Sequence, residues 1–323
     1  MANHYRIKQI PEDFRVIEIP KLVLCMTGPF TYFTLKKRRC STLEAVSRVS
    51  RTLGIRSNII RNAGNKDAHA ITEQACSIKG DWSKDLLRLH IPDIEISILG
   101  HGDHPLQLGQ LQRNQFCITA REIDCVPSPL PRFLNYFGSQ RFGRNNPAIG
   151  RAIVKRDFQD AINLILESSP NLAEAIRLHL GQTPNDFIGA LRTIPKTNCI
   201  LFIHAYQSLL WNHTVQSLLA HGADYLMEVP LIGFDLSCSD PLLREILDSV
   251  LEREEIKPAD FIFREMPELC AKGGGRKLFV DVNDLIMGSL EPNDLGPGFR
   301  CTFSFSLPPG SYATVFVDQL FGN

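Results

Sequence analysis

Apolar and polar positions alternate through residues 14–19 (FRVIEI) and again through 30–35 (FTYFTL), the two-residue period of half-buried strands. The basic run KKRR at 36–39 closes the second strand in this reading. Ser41 and Glu44 then stand at capping-box spacing, and Leu43, Val46, Val49 and Leu53 follow at helical spacing. The pattern predicts a helix over 41–53 and further strands near 70–78, 94–99 and 115–121. From about residue 157 the period becomes helical: Asp157 precedes FQDAINLILE, NLAEAIRLHLG ends on Gly181, a longer segment over 197–221 stops at Gly222, and Asp240-Pro241 opens LLREILDSVLERE. Gly273-Gly274-Gly275 reads as a linker turn at a junction, after which CTFSFS alternates like a strand. Strands first and helices later predict an α+β chain rather than a regular βαβ array.

Length adds a domain count. At roughly 100–200 residues per domain, 323 residues suggest two. A hydrophobic fraction of 44% and a charged fraction of 22% fit a globular protein and exclude a fibrous or wholly disordered one. No apolar run approaches the roughly 20 residues that span a bilayer. The N-terminal MANHYRIKQIPEDF has a lysine and acids where a signal peptide needs an apolar core, so a cytoplasmic location is expected. The nine cysteines are scattered, without CxxC or ligand spacing. Reduced, mostly buried thiols are expected, rather than a disulfide framework or a zinc site.

The 35 basic and 35 acidic residues cancel, which at first argues against a nucleic-acid partner. Their distribution changes that. Residues 1–150 hold 21 basic and 13 acidic side chains, residues 151–277 hold 13 and 17, and residues 278–323 hold 1 and 5. A neutral total therefore conceals a basic half.

Several familiar sites are missing: there is no GxxxxGK[ST], no GxSxG and no HExxH. His101 and His104 flank a Gly-Asp turn and read as surface residues. Three runs are more specific. In residues 63–74 (AGNKDAHAITEQ), Gly64 permits a close backbone approach, and Asp67 sits beside Lys66 at a strand edge. Nearby cations would keep Asp67 ionised, as a carboxylate nucleophile requires. Residues 135–143 (NYFGSQRFG) interleave three aromatics with amides and an arginine, which suits a stacked base and its phosphate as well as a structural turn. Residues 303–314 (FSFSLPPGSYAT) read as strand, turn and helix start, with Ser311 able to cap. A fourth run, AYQSLLWN at 205–212, lies within the long helix, where core packing accounts for its apolar members.

Taken together, these runs resemble the signatures of the TruD family of tRNA pseudouridine synthases. AGNKDAHAITEQ resembles that family's AGxKDxxAxTxQ, NYFGSQRFG its NYFGxQRFG, LPPGSYAT its LPxGS[FY]AT, and AYQSLLWN its AxxSxLxN. Residues 8–18 (KQIPEDFRVIE) resemble KxxPEDFxVxE, and Gly109, Leu111, Asn114 and Phe116 fall on GxLxxNxF. The matches run in family order from residue 8 to 320. Ala68 stands where the family usually carries Lys or Arg, and Arg113 where glycine is frequent.

The resemblance implies a pseudouridine-synthase fold, a mixed sheet flanked by helices, interrupted by a mainly helical insertion domain. The catalytic domain is then expected at 1–150 and 278–323 and the insertion at 151–277. The implied activity is isomerisation of a uridine in tRNA, at position 13, to pseudouridine. Asp67 would be the catalytic aspartate and Lys8 its basic partner. Phe14, Asn135 and Tyr312 fall on positions that contact the flipped nucleotide, and Phe137 stacks on it or walls the pocket. Lys66 and Arg141 are read as RNA-binding. Neither metal nor cofactor is expected, the partner is tRNA rather than a membrane, and a monomer is expected. Two other readings stay open on the sequence: a tRNA-binding or tRNA-folding protein of the same fold that no longer catalyses, favoured only by Ala68, and a metal-dependent nucleic-acid enzyme, for which no ligand set is visible.

Overall fold

The computed structural model describes residues 5–222 and 227–322. It divides into two compact units, Met1–Phe133 with Val280–Asn323, and Leu134–Phe279. In chain order the first part carries β1 (Phe14–Pro20), β2 (Phe30–Arg38), α1 (Thr42–Leu53), β3 (Ile60–Asn62), β4 (Ile71–Lys79), α2 (Ser83–Leu87), β5 (Ile94–Gly102), β6 (Leu111–Ile123) and β7 (Arg132–Leu134). There follow α3 (Ser139–Phe142), α4 (Asn146–Val154), α5 (Phe158–Ser168), α6 (Pro170–Gln182), α7 (Phe187–Arg192), α8 (Lys196–Ala220), β8 (Glu228–Leu231), α9 (Pro241–Glu254) and β9 (Gly274–Lys277). The chain closes with β10 (Phe279–Asp281), β11 (Asn283–Met287), β12 (Glu291–Pro292), β13 (Phe299–Leu307) and α10 (Ala313–Gly322). No helix among the described residues is long and apolar enough to cross a membrane.

The first unit is built on one mixed sheet in the order β11-β13-β6-β1-β4-β2-β5, with β12 on β13 and β3 on β4. This is the α+β architecture expected from the sequence. β1 runs antiparallel to β6 but parallel to β4, Arg15 facing Ile71 and Ile17 facing Glu73. Parallel pairing brings the starts of β1 and β4 to the same end of the sheet, so the segments leading into them meet there. Helix α1 begins where expected: the Ser41 hydroxyl accepts from Glu44 N at 3.1 Å, and Gly54, at φ 70°, ends it. Its buried stripe is Thr42, Ala45, Val46 and Val49, packed with Phe33, Leu35, Cys76 and Ile78. Leu43, read from spacing as part of that stripe, is instead 68% exposed. A second cluster is aromatic: Phe116 stacks on Phe305 at 5.2 Å, and Phe305 meets Phe316 of α10 at 4.5 Å.

KKRR does not end β2. The strand runs to Arg38, and Lys37 continues the inward phase of Phe33 and Leu35. The burial of a lysine follows from the alternation itself, which the charge run disguised.

The second unit is mainly helical, with α8 at its centre. Phe202, Tyr206, Leu210, Trp211 and Leu218 of that helix are all buried. Helix α4 crosses α8 so closely that a Cβ on Gly150 would lie 2.1 Å from the Phe202 carbonyl oxygen. Residues 134–150 pack with the second unit, whose borders fall at 133/134 and 279/280. Gly273–Gly275 is not a free linker. β9 pairs antiparallel with β8, Gly274 opposite Leu231 and Pro230 opposite Gly275. A Cβ on Gly273 would come within 2.4 Å of the Leu231 carbonyl oxygen, so the backbones approach too closely for a side chain there. The cysteines are all free; Cys40, Cys76, Cys199 and Cys301 are buried, and Cys125 is exposed. By the unit borders, the first unit holds 20 basic and 18 acidic residues, the second 15 and 17.

Candidate active site

The segment before β1 and the loop before β4 meet at the shared end of the sheet. There the Lys8 ammonium is hydrogen-bonded to Oδ2 of Asp67. The same ammonium lies 4.1 Å from the centre of the Phe14 ring, a cation–π contact on its other side. The Lys8 and Asp67 side chains retain 17% and 26% exposure, so the pair is sheltered but reachable. Lys8 has φ 61°, a left-handed conformation that costs a non-glycine residue about 1–2 kcal/mol. The surroundings hold it there. Arg6 exchanges main-chain hydrogen bonds with Arg121, both at 2.8 Å, and Gln9 donates to Glu122 at 3.1 Å. Ile10 N donates to Asp13, whose buried carboxylate is gripped by Nε and Nη2 of Arg121.

The Asp67 loop is pinned by side chains from several elements. Gly64 N donates to Asn62, and Gln74 of β4 donates to the Gly64 carbonyl at 2.9 Å. Lys66 N donates to the Thr42 hydroxyl at 2.8 Å, and that hydroxyl donates to Gln74. The Lys66 ammonium is 2.6 Å from Glu18, whose side chain has no solvent exposure, and it donates to Asn114 at 2.8 Å. Lys37 reaches the Asp67 carbonyl oxygen at 2.7 Å from below. Each loop residue from Gly64 to Asp67 except Asn65 is thus held by a named bond. Such a network fixes a loop more rigidly than packing alone.

Of the residues singled out from sequence, Lys8, Phe14, Lys66 and Asp67 come together here. Phe14 is only 4% exposed, its ring covered by Lys8 and edge-on to Phe116. Lys66 is placed as an internal counter-ion to Glu18, with 10% side-chain exposure. Tyr312 opens α10 of the same unit, partly buried, its carbonyl accepting from Phe316 N.

Asn135, Phe137 and Arg141 belong to the second unit. Asn135 is 5% exposed, and its amide is committed at both ends: Oδ1 accepts from Arg276 Nη2 at 2.7 Å, and Nδ2 donates to the Lys277 carbonyl at 3.1 Å. Arg276 also donates through Nε to the Asn135 carbonyl at 2.8 Å, and its guanidinium lies 4.0 Å from the Phe137 ring centre. Trp211 meets Phe137 edge-on at 5.6 Å, and Asn212 brackets the Phe137 main chain with two 3.0 Å hydrogen bonds. Arg141 donates to Ser208 of α8 at 3.2 Å. The AYQSLLWN run therefore does more than fill a core. Its Ser208 and Asn212 organise residues 137–141, which is why polar side chains sit inside that helix.

Sequence reasoning missed Glu18, Lys37, Thr42 and Arg276. Strand phase carried a signal for the first two, since Glu18 follows Phe14 and Val16 inward as Lys37 follows Phe33 and Leu35. Nothing local marked Arg276, which acts across a gap of about 140 residues in the chain.

Comparisons with known proteins extend over almost the whole chain. The family model for tRNA pseudouridine synthase D (TruD) matches residues 3–178, 171–229 and 219–320. The chain is 30% identical, over 99% of its own length and 93% of the relative's, to a Methanopyrus kandleri protein described as "Probable tRNA pseudouridine synthase D". It is 28% identical to the tRNA pseudouridine synthase D of Aquifex aeolicus, over 98% of each chain. A crystal structure of a Methanosarcina mazei protein described as "Putative tRNA pseudouridine synthase D (TruD)" shares the fold, with a TM-score of 0.78 over 100% of this chain and 94% of the other, at 24% identity.

Proposed function

We propose a catalytic assignment from one premise: the chain belongs to the TruD family of tRNA pseudouridine synthases, isomerases that act on tRNA. In this assignment the first unit is the catalytic domain and the second the family's insertion. Asp67 is the nucleophile, Lys8 its cationic partner, and the target is uridine 13 of tRNA. The observation that carries the assignment is the Lys8–Asp67 contact on a loop tied down at Gly64, Lys66 and Asp67.

The chemistry suits those parts. An adjacent ammonium favours the charged form of a carboxylate, so Asp67 is ready to attack without a separate base. The uridine must leave its stack to reach a sheltered carboxylate, at a cost of a few kcal/mol. The N1–C1′ bond breaks, the uracil turns, and C5 joins C1′; C5 loses a proton and N1 gains one. Attack at C6 of the base and attack at C1′ of the ribose both fit this atom balance. The reaction is redox-neutral and imports no group, so its stoichiometry calls for no cofactor. Phe14 supports Lys8 from below, while Asn135, Phe137 and Tyr312 carry the family's nucleotide-contacting positions. Arg141 is the RNA-binding cation of this assignment, and Lys66 serves it by holding the loop through Glu18.

The test is position-specific mapping of pseudouridine, by carbodiimide labelling and primer extension, in a tRNA transcript treated with the wild-type protein or with Asp67→Asn. Modification at position 13 by the wild type alone is the expected result. An active Asp67→Asn variant would remove Asp67 from the chemistry, and product at another position would remove the uridine-13 assignment.

A further inference from the structure

A second lysine sits beneath the Asp67 loop. Lys37 lies on β2 between two strands, opposite Thr72 of β4 and Ile94 of β5, and is 1% exposed. Taking an ammonium out of water costs several kcal/mol unless hydrogen bonds and opposite charge compensate. Here the Nζ donates to the Cys40 carbonyl at 2.6 Å and to the Asp67 carbonyl at 2.7 Å. One carbonyl lies just before α1 and the other on the nucleophile itself, so a single side chain ties the reactive residue to the centre of the sheet.

A hydrogen bond alone does not require a lysine at this place. The neighbouring residue Lys66 is held through its N–H by the neutral Thr42 hydroxyl, at a similar distance of 2.8 Å. What Lys37 adds is charge in a dry position. Burial draws its pKa down from the ordinary value, with Lys66 adding to the fall, while Cys40, Asp67 and Glu44 oppose it. Asp67 therefore has cations on more than one side: Lys8 at its carboxylate and Lys37 beneath its main chain, with Lys66 next in sequence.

We propose that Lys37 is a positioning residue of the isomerase, whose buried ammonium clamps the Asp67 carbonyl, aims the carboxylate and helps to hold it ionised. The proposal rests on the reading of Asp67 as nucleophile. Displacing a reacting group by about 1 Å can cost 10²-fold in rate. Loss of the clamp should therefore show in the chemical step and leave tRNA binding nearly unchanged.

The experiment is single-turnover pseudouridine formation on a tRNA transcript, with enzyme in excess, measured from acid to neutral pH for four forms of the full chain. In Lys37→Met the rate should fall roughly 10- to 100-fold, with tRNA affinity within about threefold. Its acid limb should move to higher pH, because removing a cation makes a carboxylate harder to ionise. Thr42→Val breaks a neutral bond of the same loop; its rate should fall without moving the limb. Lys8, Lys66, Cys40 and Glu44 remain in both variants, so a difference between the limbs belongs to Lys37. Should Lys37→Met not fold, Lys37→Gln keeps a donor without the charge and carries the same expectation. A wild-type rate in the Lys37 variant, or limbs that coincide with those of Thr42→Val, would overturn the proposal. Activity in Asp67→Asn would instead overturn the assignment of the nucleophile.

Discussion

Arg121 of β6 grips Asp13 by Nε and Nη2, at 3.0 and 2.8 Å, with 3% and 2% side-chain exposure. The pair lies immediately before Phe14, and Arg121 also holds Arg6 through the main chain, so it fixes both ends of the turn that presents Lys8. Removing one member of a buried pair leaves an uncompensated charge, at about 3–5 kcal/mol. Asp13→Asn should lower unfolding stability in urea by about that amount, and tRNA turnover should fall at temperatures where the chain is still folded. A change under about 1 kcal/mol would mean that Asp294, the other carboxylate on Arg121, suffices.

Arg276 organises Asn135 and Phe137 together, so its effect should exceed that of a surface arginine. Hydrogen bonds to a charged partner contribute about 1.5–3 kcal/mol. Arg276→Ala should accordingly lower kcat/KM for tRNA by roughly 10- to 100-fold. Lys at this position should rescue little, because an ammonium cannot both reach Asn135 and lie flat on the Phe137 ring. Equal activity of Arg276→Lys and the wild type would show that charge alone is needed.

The first unit carries only a slight excess of basic over acidic residues, 20 against 18. Affinity for tRNA should still fall as salt rises, since each neutralised phosphate adds about −0.7 to −0.9 to the slope of log K against log salt. With so small an excess the slope should reflect a few local contacts. Arg141→Ala should flatten it by about one contact. A slope that does not respond to Arg141 would remove that residue from the RNA interface.

His213 on α8 is half-buried, and its pKa is drawn below the ordinary 6.5, first by burial and then by Arg253, with Glu254 opposing. A lowered value means that the unfolded chain takes up the proton first. The stability present above pH 6.5 is therefore lost as pH falls toward the folded-state value. His213→Gln should flatten the decline in stability between neutral and mildly acid pH. An identical decline in wild type and variant would place the acid sensitivity elsewhere.

How much of this was legible in sequence depended on the range of each interaction. The sheet strands and the capped helix α1 are local, and alternation, Ser41 and Gly54 announced them. Lys8 and Asp67 stand in compact motifs, and parallel pairing of β1 with β4 explains why two runs so far apart in sequence meet. KKRR was misread because a charge run usually marks a solvated end, whereas strand phase overrode it at Lys37. Gly273–Gly275 looked like a linker because close backbone approach and flexibility call for the same residue. The packing of α4 on α8 leaves no periodic trace in the sequence. Arg276 was hidden for the same reason.

Strand β13 lies between β11 and β6, yet it is made long after β6, its partner in the sheet. During synthesis β6-β1-β4-β2-β5 can assemble as soon as residue 123 has emerged. The edge of β6 from Asn114 to Ile123 must then wait for residues 299–307. Everything from 134 to 279 is translated in that interval, and the core of that contiguous unit draws only on its own residues. An unpaired edge is a template for any passing strand. The nascent chain is thus most prone to misassociation while residues 134–298 are being made, although every residue that ties down the Asp67 loop, from Lys8 to Asn114, has emerged by then.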